Sequence, residues 1–114
     1  MESSLAIAAL AALAQPTRLD ALRLLVAAEP LGLPAGEIAR RLDVPPNTMS
    51  AHLSILSHAG LVAGTRASRS IIYRAELGRV RDLTLFLLKD CCGGNASLCA
   101  PVMAALAPCC EPVP

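Results

Sequence analysis

Three features of this 114-residue chain predict a mainly α-helical fold carrying one small β-hairpin. Apolar residues make up 54% of it and charged residues 17%, which allows a core and argues against global disorder. The core must come from Leu, Ala, Val and Ile, since there is one Phe, one Tyr and no Trp, and that palette suits packed helices. Apolar residues follow helical spacing up to Gly60, whereas Leu61 to Thr65 and Ile71 to Arg74 are β-prone.

The elements follow in order. Leu5, Ala8, Ala9 and Ala12 share a helical face that Leu10 and Leu13 widen, with Ser3 or Ser4 as the cap. Gln15-Pro16-Thr17 interrupts, and Pro16 suits the first turn of a second helix. This helix carries Leu19, Leu22, Leu25 and Val26 on one side, with Asp20 and Arg23 as a weak pair on the other. Pro30 to Pro34 reads as a loop. A short third helix turns Ile38, Ala39 and Leu42 inward and Glu37, Arg40 and Arg41 outward. After the tight turn Asp43-Val44-Pro45-Pro46, a fourth helix runs to Ala59 on Met49, Leu53 and Leu56, and Gly60 stops it. The β-prone segments form a hairpin whose tip, Arg66 to Ser70, is polar and basic. The last helix, Leu77 to Lys89, has a stripe of Leu77, Val80, Leu83 and Leu87 that Leu85, Phe86 and Leu88 extend almost around it. A helix that apolar needs cover on two sides, so a subunit interface is expected there.

Two short helices joined by a tight turn, then a two-stranded hairpin, is the order of a winged helix-turn-helix, α-α-α-α-β-β-α. Burying Met49, Leu53 and Leu56 leaves Asn47, Thr48, Ser50, Ala51, His52 and Ser54 on or near the outward face of the fourth helix. Such small groups near a helix N-terminus can approach phosphates and base edges closely. Arg66 and Arg69 at the hairpin tip can reach a DNA backbone or minor groove. Read singly, each of these residues is a cap or surface decoration; read as an ordered set, they are a reader of double-stranded DNA. A net charge of +1 neither demands nor excludes that partner, and implies modest non-specific affinity.

All five cysteines lie in the last quarter: Cys91, Cys92, Cys99, Cys109 and Cys110. The chain therefore divides into a domain over 1–90 and a cysteine-rich tail over 91–114. An odd count argues against a disulfide framework. Adjacent cysteines have Cα atoms about 3.8 Å apart, below the usual disulfide window. Thiolate ligands in a reducing cytoplasm are the better reading, and soft thiolates select thiophilic ions over calcium or magnesium. No apolar run reaches the roughly 18 residues of a membrane span. The stretch Leu5 to Ala14 lacks the preceding Lys or Arg of a signal peptide and has Glu2 instead.

The segments Gln15-Pro-Thr-Arg-Leu-Asp-Ala-Leu-Arg-Leu-Leu, Gly36-Glu-Ile-Ala-Arg-Arg-Leu and Asn47-Thr-Met-Ser-Ala-His-Leu-Ser-Ile-Leu-Ser-His-Ala-Gly-Leu-Val resemble the ArsR/SmtB family of metal-responsive repressors. The resemblance covers about Gln15 to Lys89. It implies a homodimer built on the first and last helices, a palindromic operator, and DNA contacts at Thr48, Ser50 and His52; Ala51 stands where the family often has a polar residue. Many arsenic sensors of the family carry Cys-Val-Cys on the helix before the recognition helix, but Glu37 to Val44 contains no cysteine. The zinc sensors place two histidines on the last helix, and no histidine follows His58. Some arsenite sensors keep an adjacent cysteine pair and a third cysteine beyond the last helix, and Cys91, Cys92 and Cys99 look like that arrangement.

Arsenite, As(OH)₃, exchanges each hydroxide for a thiolate, so three cysteines suffice. Gly93 and Gly94 let the chain turn back so that Cys99 meets the pair, at a small closure entropy for so short a loop. The expected function is a repressor that needs no cofactor and is released by As(III), with Sb(III) as a relative. Cys109 and Cys110, bracketed by Pro108 and Pro112, form either a second thiol site or a reactive tail. A structural zinc site and a thiol-oxidation switch remain alternatives, although no Cys-x-x-Cys spacing supports zinc. An enzyme is not expected: a thiol arsenate reductase wants an Arg six residues after its Cys, and no Arg follows Arg81.

Overall fold

The structure is a computed structural model and describes residues 1–88. Its elements are α1 (Ser3–Leu13), α2 (Pro16–Ala27), β1 (Leu33–Pro34), α3 (Ala35–Leu42), α4 (Pro46–His58), β2 (Val62–Ala67), β3 (Ser70–Ala75) and α5 (Leu77–Leu88). The order is that of a winged helix-turn-helix, with one strand added. Met1–Leu83 forms one compact unit, and the chain from Thr84 onward groups separately. Of the latter, only the Thr84–Leu88 end of α5 lies among the described residues.

The core of the first unit is aliphatic. Leu25 of α2, Ile38 of α3, Met49, Leu53 and Leu56 of α4, and Leu61 beyond it are fully buried. Burying a side chain of this size stabilises by about 1.5–3 kcal/mol, so these residues fix how α2, α3 and α4 sit on one another. No polar side chain is buried among the described residues.

The C-terminal ends of α3 and α4 are closed by the same device. α3 ends at Asp43, which adopts a left-handed conformation (φ 54°) while Asp43 N–H donates to Arg40 O and Val44 N–H to Ala39 O. α4 ends at Gly60 (φ 77°), with Gly60 N–H donating to Ser57 O and Leu61 N–H to Leu56 O. This is the paired bonding of a Schellman stop, and the accompanying apolar contact has Leu56 and Leu61 to supply it.

Beyond α4 the chain forms an antiparallel sheet of order β1-β3-β2. Only its base is buried, at Val62 and Ala75. From Gly64 to Ile71 every residue is exposed, so the hairpin projects as a wing.

Several expectations are corrected. Pro30 to Pro34 is not wholly loop: Leu33 and Pro34 pair with Tyr73 and Ile72. The hairpin is longer than expected, so Arg66 lies within β2 opposite Ile71, and only Ser68 and Arg69 make the turn. Neither serine caps α1; Glu2 is the N-cap and makes no side-chain bond. Asp20 and Arg23 do not pair among the described residues. The faces of α1 also differ from the reading: Ala6, Ala9 and Ala12 are buried, while Leu5, Ile7 and Leu10 are exposed. On α2, Ala21 joins Leu22 and Leu25 inside, and Leu19 and Val26 stay outside. No single helix among the described residues is long and apolar enough to cross a membrane.

Candidate nucleic-acid interface

Helix α4 is held from one side and leaves the other to solvent. Met49, Leu53 and Leu56 are fully buried, while Asn47, Thr48, Ser50, Ala51 and Ser54 are exposed and His52 is half-buried. The sequence from Pro46 to His58 contains no Asp or Glu, so nothing on this helix would repel a phosphate. Its N-terminus is open. Pro45 is the N-cap and offers no side-chain bond, Pro46 has no N–H, and the first intrahelical bond is Met49 N–H to Pro45 O. The amides of Asn47 and Thr48 therefore keep their donors at the positive end of the helix, an arrangement suited to an anion.

Helix α3 crosses the start of α4 and brings arginines to its edge. Gly36, Ala39, Arg40, Asp43, Val44, Pro45 and Pro46 line an open groove there. Arg40 and Arg41 are not free cations: both donate to Glu37, Arg41 Nε at 2.8 Å. The hydrogen bonds from Arg40, then those from Arg41, hold the Glu37 carboxyl down at about 2, and the same pairing pushes Arg40 up.

The wing adds cations of two kinds. Arg66 and Arg69 are exposed and have no acidic partner among the described residues. Ser68 alone of the two turn residues has a positive φ, 60°, the pattern of a type II′ turn, whose twist matches the strands. Arg74, at the wing base, is committed to Glu29 at 2.7 Å and raised by that bond. Arg74 therefore fastens β3 to the end of α2.

All eight candidate DNA contacts thus lie on α4 or the wing, seven of them exposed and His52 half-buried. The five cysteines lie outside the described residues, and among the described ones no group of three or more His, Cys, Asp or Glu could hold a metal. One residue that the sequence reading did not single out is Arg18. Its Nε donates to Ala12 O at 2.6 Å, and its Nη1 lies 3.4 Å from His52 Nδ1. The available signal was an arginine in the first turn of a helix, where the dipole disfavours a cation.

The comparisons with known proteins agree with this geometry. The family of the helix-turn-helix domain HTH_20 matches residues 13–65. No curated protein sequence matches the chain. Among solved structures, an ArsR-like transcriptional regulator from Rhodococcus sp. RHA1 is similar at 25% identity and TM-score 0.62, covering 96% of both chains. The homodimeric winged helix-turn-helix DNA-binding domain of Mb0332 from Mycobacterium bovis is 28% identical at TM-score 0.62, over 75% of this chain and 77% of that one. The antimony-specific transcriptional repressor AntR is 27% identical at TM-score 0.57, over 71% of this chain and 72% of that one.

Proposed function

We propose that the chain is a winged helix-turn-helix transcriptional regulator of the ArsR family, and that it is a cytoplasmic, homodimeric repressor released from a palindromic operator by trivalent arsenic. The observation that carries the DNA half is α4. Its inner face is locked by Met49, Leu53 and Leu56, and its outer face offers small hydrogen-bonding groups and an open N-terminus free of acid. Asn47, Thr48, Ser50, Ala51, His52 and Ser54 face the major groove, and Arg66 and Arg69 hold the flanking backbone or minor groove. It is a DNA-binding regulator and not an enzyme.

The dimer half rests on α1 and α5, which expose Ile7 and Leu10 on the one and Leu77, Leu85 and Leu87 on the other. A similar solved structure is described as homodimeric. Two recognition helices must meet half-sites about one DNA turn, roughly 34 Å, apart, so the dimer contact sets operator affinity.

The inducer half rests on the donor set. Every thiol of the chain follows α5, and Cys91, Cys92 and Cys99 supply the three that As(OH)₃ needs. Three thiols replace three hydroxides, and each exchange releases one water. Antimony(III) takes the same donors, and one similar structure is an antimony-specific repressor. A ligand that binds the wrongly spaced dimer better lowers operator affinity by its differential binding.

The test begins with a duplex selected by the protein from a random pool. Binding to that duplex is then titrated with arsenite, antimonite, cadmium and zinc under reducing conditions, and with peroxide after the reductant is removed. Release by arsenite or antimonite at concentrations where zinc and peroxide have no effect supports the reading. Release by peroxide alone replaces it with a thiol-oxidation switch, and tight zinc retention without release replaces it with a structural zinc site.

A further inference from the structure

We propose that Arg18 is a positioning residue for operator recognition: it holds His52 in the tautomer whose Nε2–H faces outward as a donor, and ties that histidine to the end of α1. The proposal rests on the DNA reading above.

Arg18 is poorly placed for its own helix. It lies in the first turn of α2, at the positive end of the helix dipole, where a cation is unfavourable. Its backbone N–H is already satisfied by Gln15 Oε1 at 2.8 Å. The side chain turns away from α2 instead. Nε donates to Ala12 O at 2.6 Å, in the last turn of α1, where carbonyls lack intrahelical donors and the dipole favours a cation. Nη1 reaches His52 Nδ1 at 3.4 Å. One guanidinium thus joins the last turn of α1 to α4, the reading helix.

The direction of the second contact follows from chemistry. A guanidinium only donates, so Nδ1 of His52 must accept. In a neutral imidazole the proton is then on Nε2. Nε2 has no partner among the described residues. His52 is one helical turn beyond Thr48, on the same side of α4, so its Nε2–H joins the Thr48 and Asn47 groups as a donor toward acceptor edges or phosphates. A neutral His52 without Arg18 would be free to place its proton on either nitrogen and to rotate. The bond to Ala12 O adds a consequence: a shift of α1 within the dimer pulls on the residue that orients His52.

Two measurements on the full-length chain test this. The first is nitrogen-detected NMR of the neutral His52 ring in wild type, Arg18→Met and Arg18→Lys. Wild type should show the Nε2–H tautomer, and both variants a mixture, because a lysine ammonium cannot span Ala12 O and His52 as a guanidinium fork does. The second is a double-mutant cycle of Arg18→Met with His52→Ala, read as affinity for the selected duplex. Arg18→Met should weaken binding roughly tenfold when His52 is present and less than about twofold when His52 is Ala. Arg18→Lys replaces it in the cycle if Arg18→Met does not fold. A wild-type Nδ1–H tautomer, or an equal loss in both backgrounds, overturns the proposal. If wild type selects no duplex at all, the DNA reading fails, and the tautomer measurement still decides what Arg18 does to His52.

Discussion

Glu37 is the residue that most constrains the electrostatics of the interface. Its single negative charge is shared between Arg40 and Arg41 beside the start of α4. A carboxyl held at about 2, below its usual 4.5, contributes stability that is fully present above 4.5. That contribution is lost as pH falls through about 2. The ion pairs are therefore intact throughout the physiological range, and an NMR titration of the Glu37 carboxyl should give a midpoint near 2. Because the pairs are exposed, their main consequence is for binding and not for stability. Glu37→Gln frees two arginines for phosphate contacts. It should tighten binding to the selected duplex several-fold and steepen the log-affinity against log-salt slope by about one or two. An unchanged slope would mean that Arg40 and Arg41 stand clear of the backbone.

At the scale of elements, α4 and the wing make separable contributions. Leu53 is fully buried beneath the reading face. Leu53→Ala should cost about 2–5 kcal/mol in denaturant unfolding, through lost burial and the cavity left behind, and operator binding should fall with the folded fraction. The wing arginines are exposed. Arg66→Ala and Arg69→Ala should leave the unfolding midpoint within error and reduce the salt slope by about one each, weakening all duplexes nearly uniformly. A loss confined to one base position would instead make that arginine a base reader.

The same scale shows what the sequence could reveal. The helix-turn-helix was legible because Ile38, Ala39, Met49, Leu53 and Leu56 follow helical spacing and Asp43 and Gly60 mark the stops. Strand β1 was not legible. Two residues ending in proline carry no periodicity, and the pairing depends on Gly32 (φ 73°), where an added Cβ would lie 2.4 Å from Tyr73 O. The inner face of α1 was not legible either. Almost every residue of that helix is apolar, so periodicity could not tell the small face, Ala6-Ala9-Ala12, from the bulky one. Close helix packing selects the alanines, and the larger side chains remain outside. The exposed polar face of α4 was legible from the spacing of Met49, Leu53 and Leu56, although apolar Ile55 is exposed as well. Arg66 was misplaced by one strand position because hairpin length depends on pairing across the turn. Arg18 required a contact between residues 34 apart, which no local pattern contains.

For the whole molecule, the exposed apolar surface is what the proposed dimer would bury. Ile7 is 66% exposed on α1, and Leu85 and Leu87 are each more than half exposed on α5. Burying a side chain of this kind in an interface contributes about 1.5–3 kcal/mol, and a twofold contact doubles each contribution. Ile7→Glu should therefore convert a dimer to a monomer in sedimentation equilibrium without lowering helix content by circular dichroism. Operator affinity should fall with it, since a monomer covers one half-site. A variant that stays dimeric would move the interface off α1.

The central claim is that thiols beyond α5 control DNA binding by the unit before it. The most direct measurement compares wild type with Cys92→Ser and Cys99→Ser in one operator-release titration with arsenite, under reducing conditions. Each serine removes one of the three thiolates that the arsenic centre requires. The account predicts unchanged duplex affinity without arsenite for all three proteins, and release at markedly lower arsenite for wild type than for either variant. Release of both variants at the wild-type arsenite concentration would contradict it.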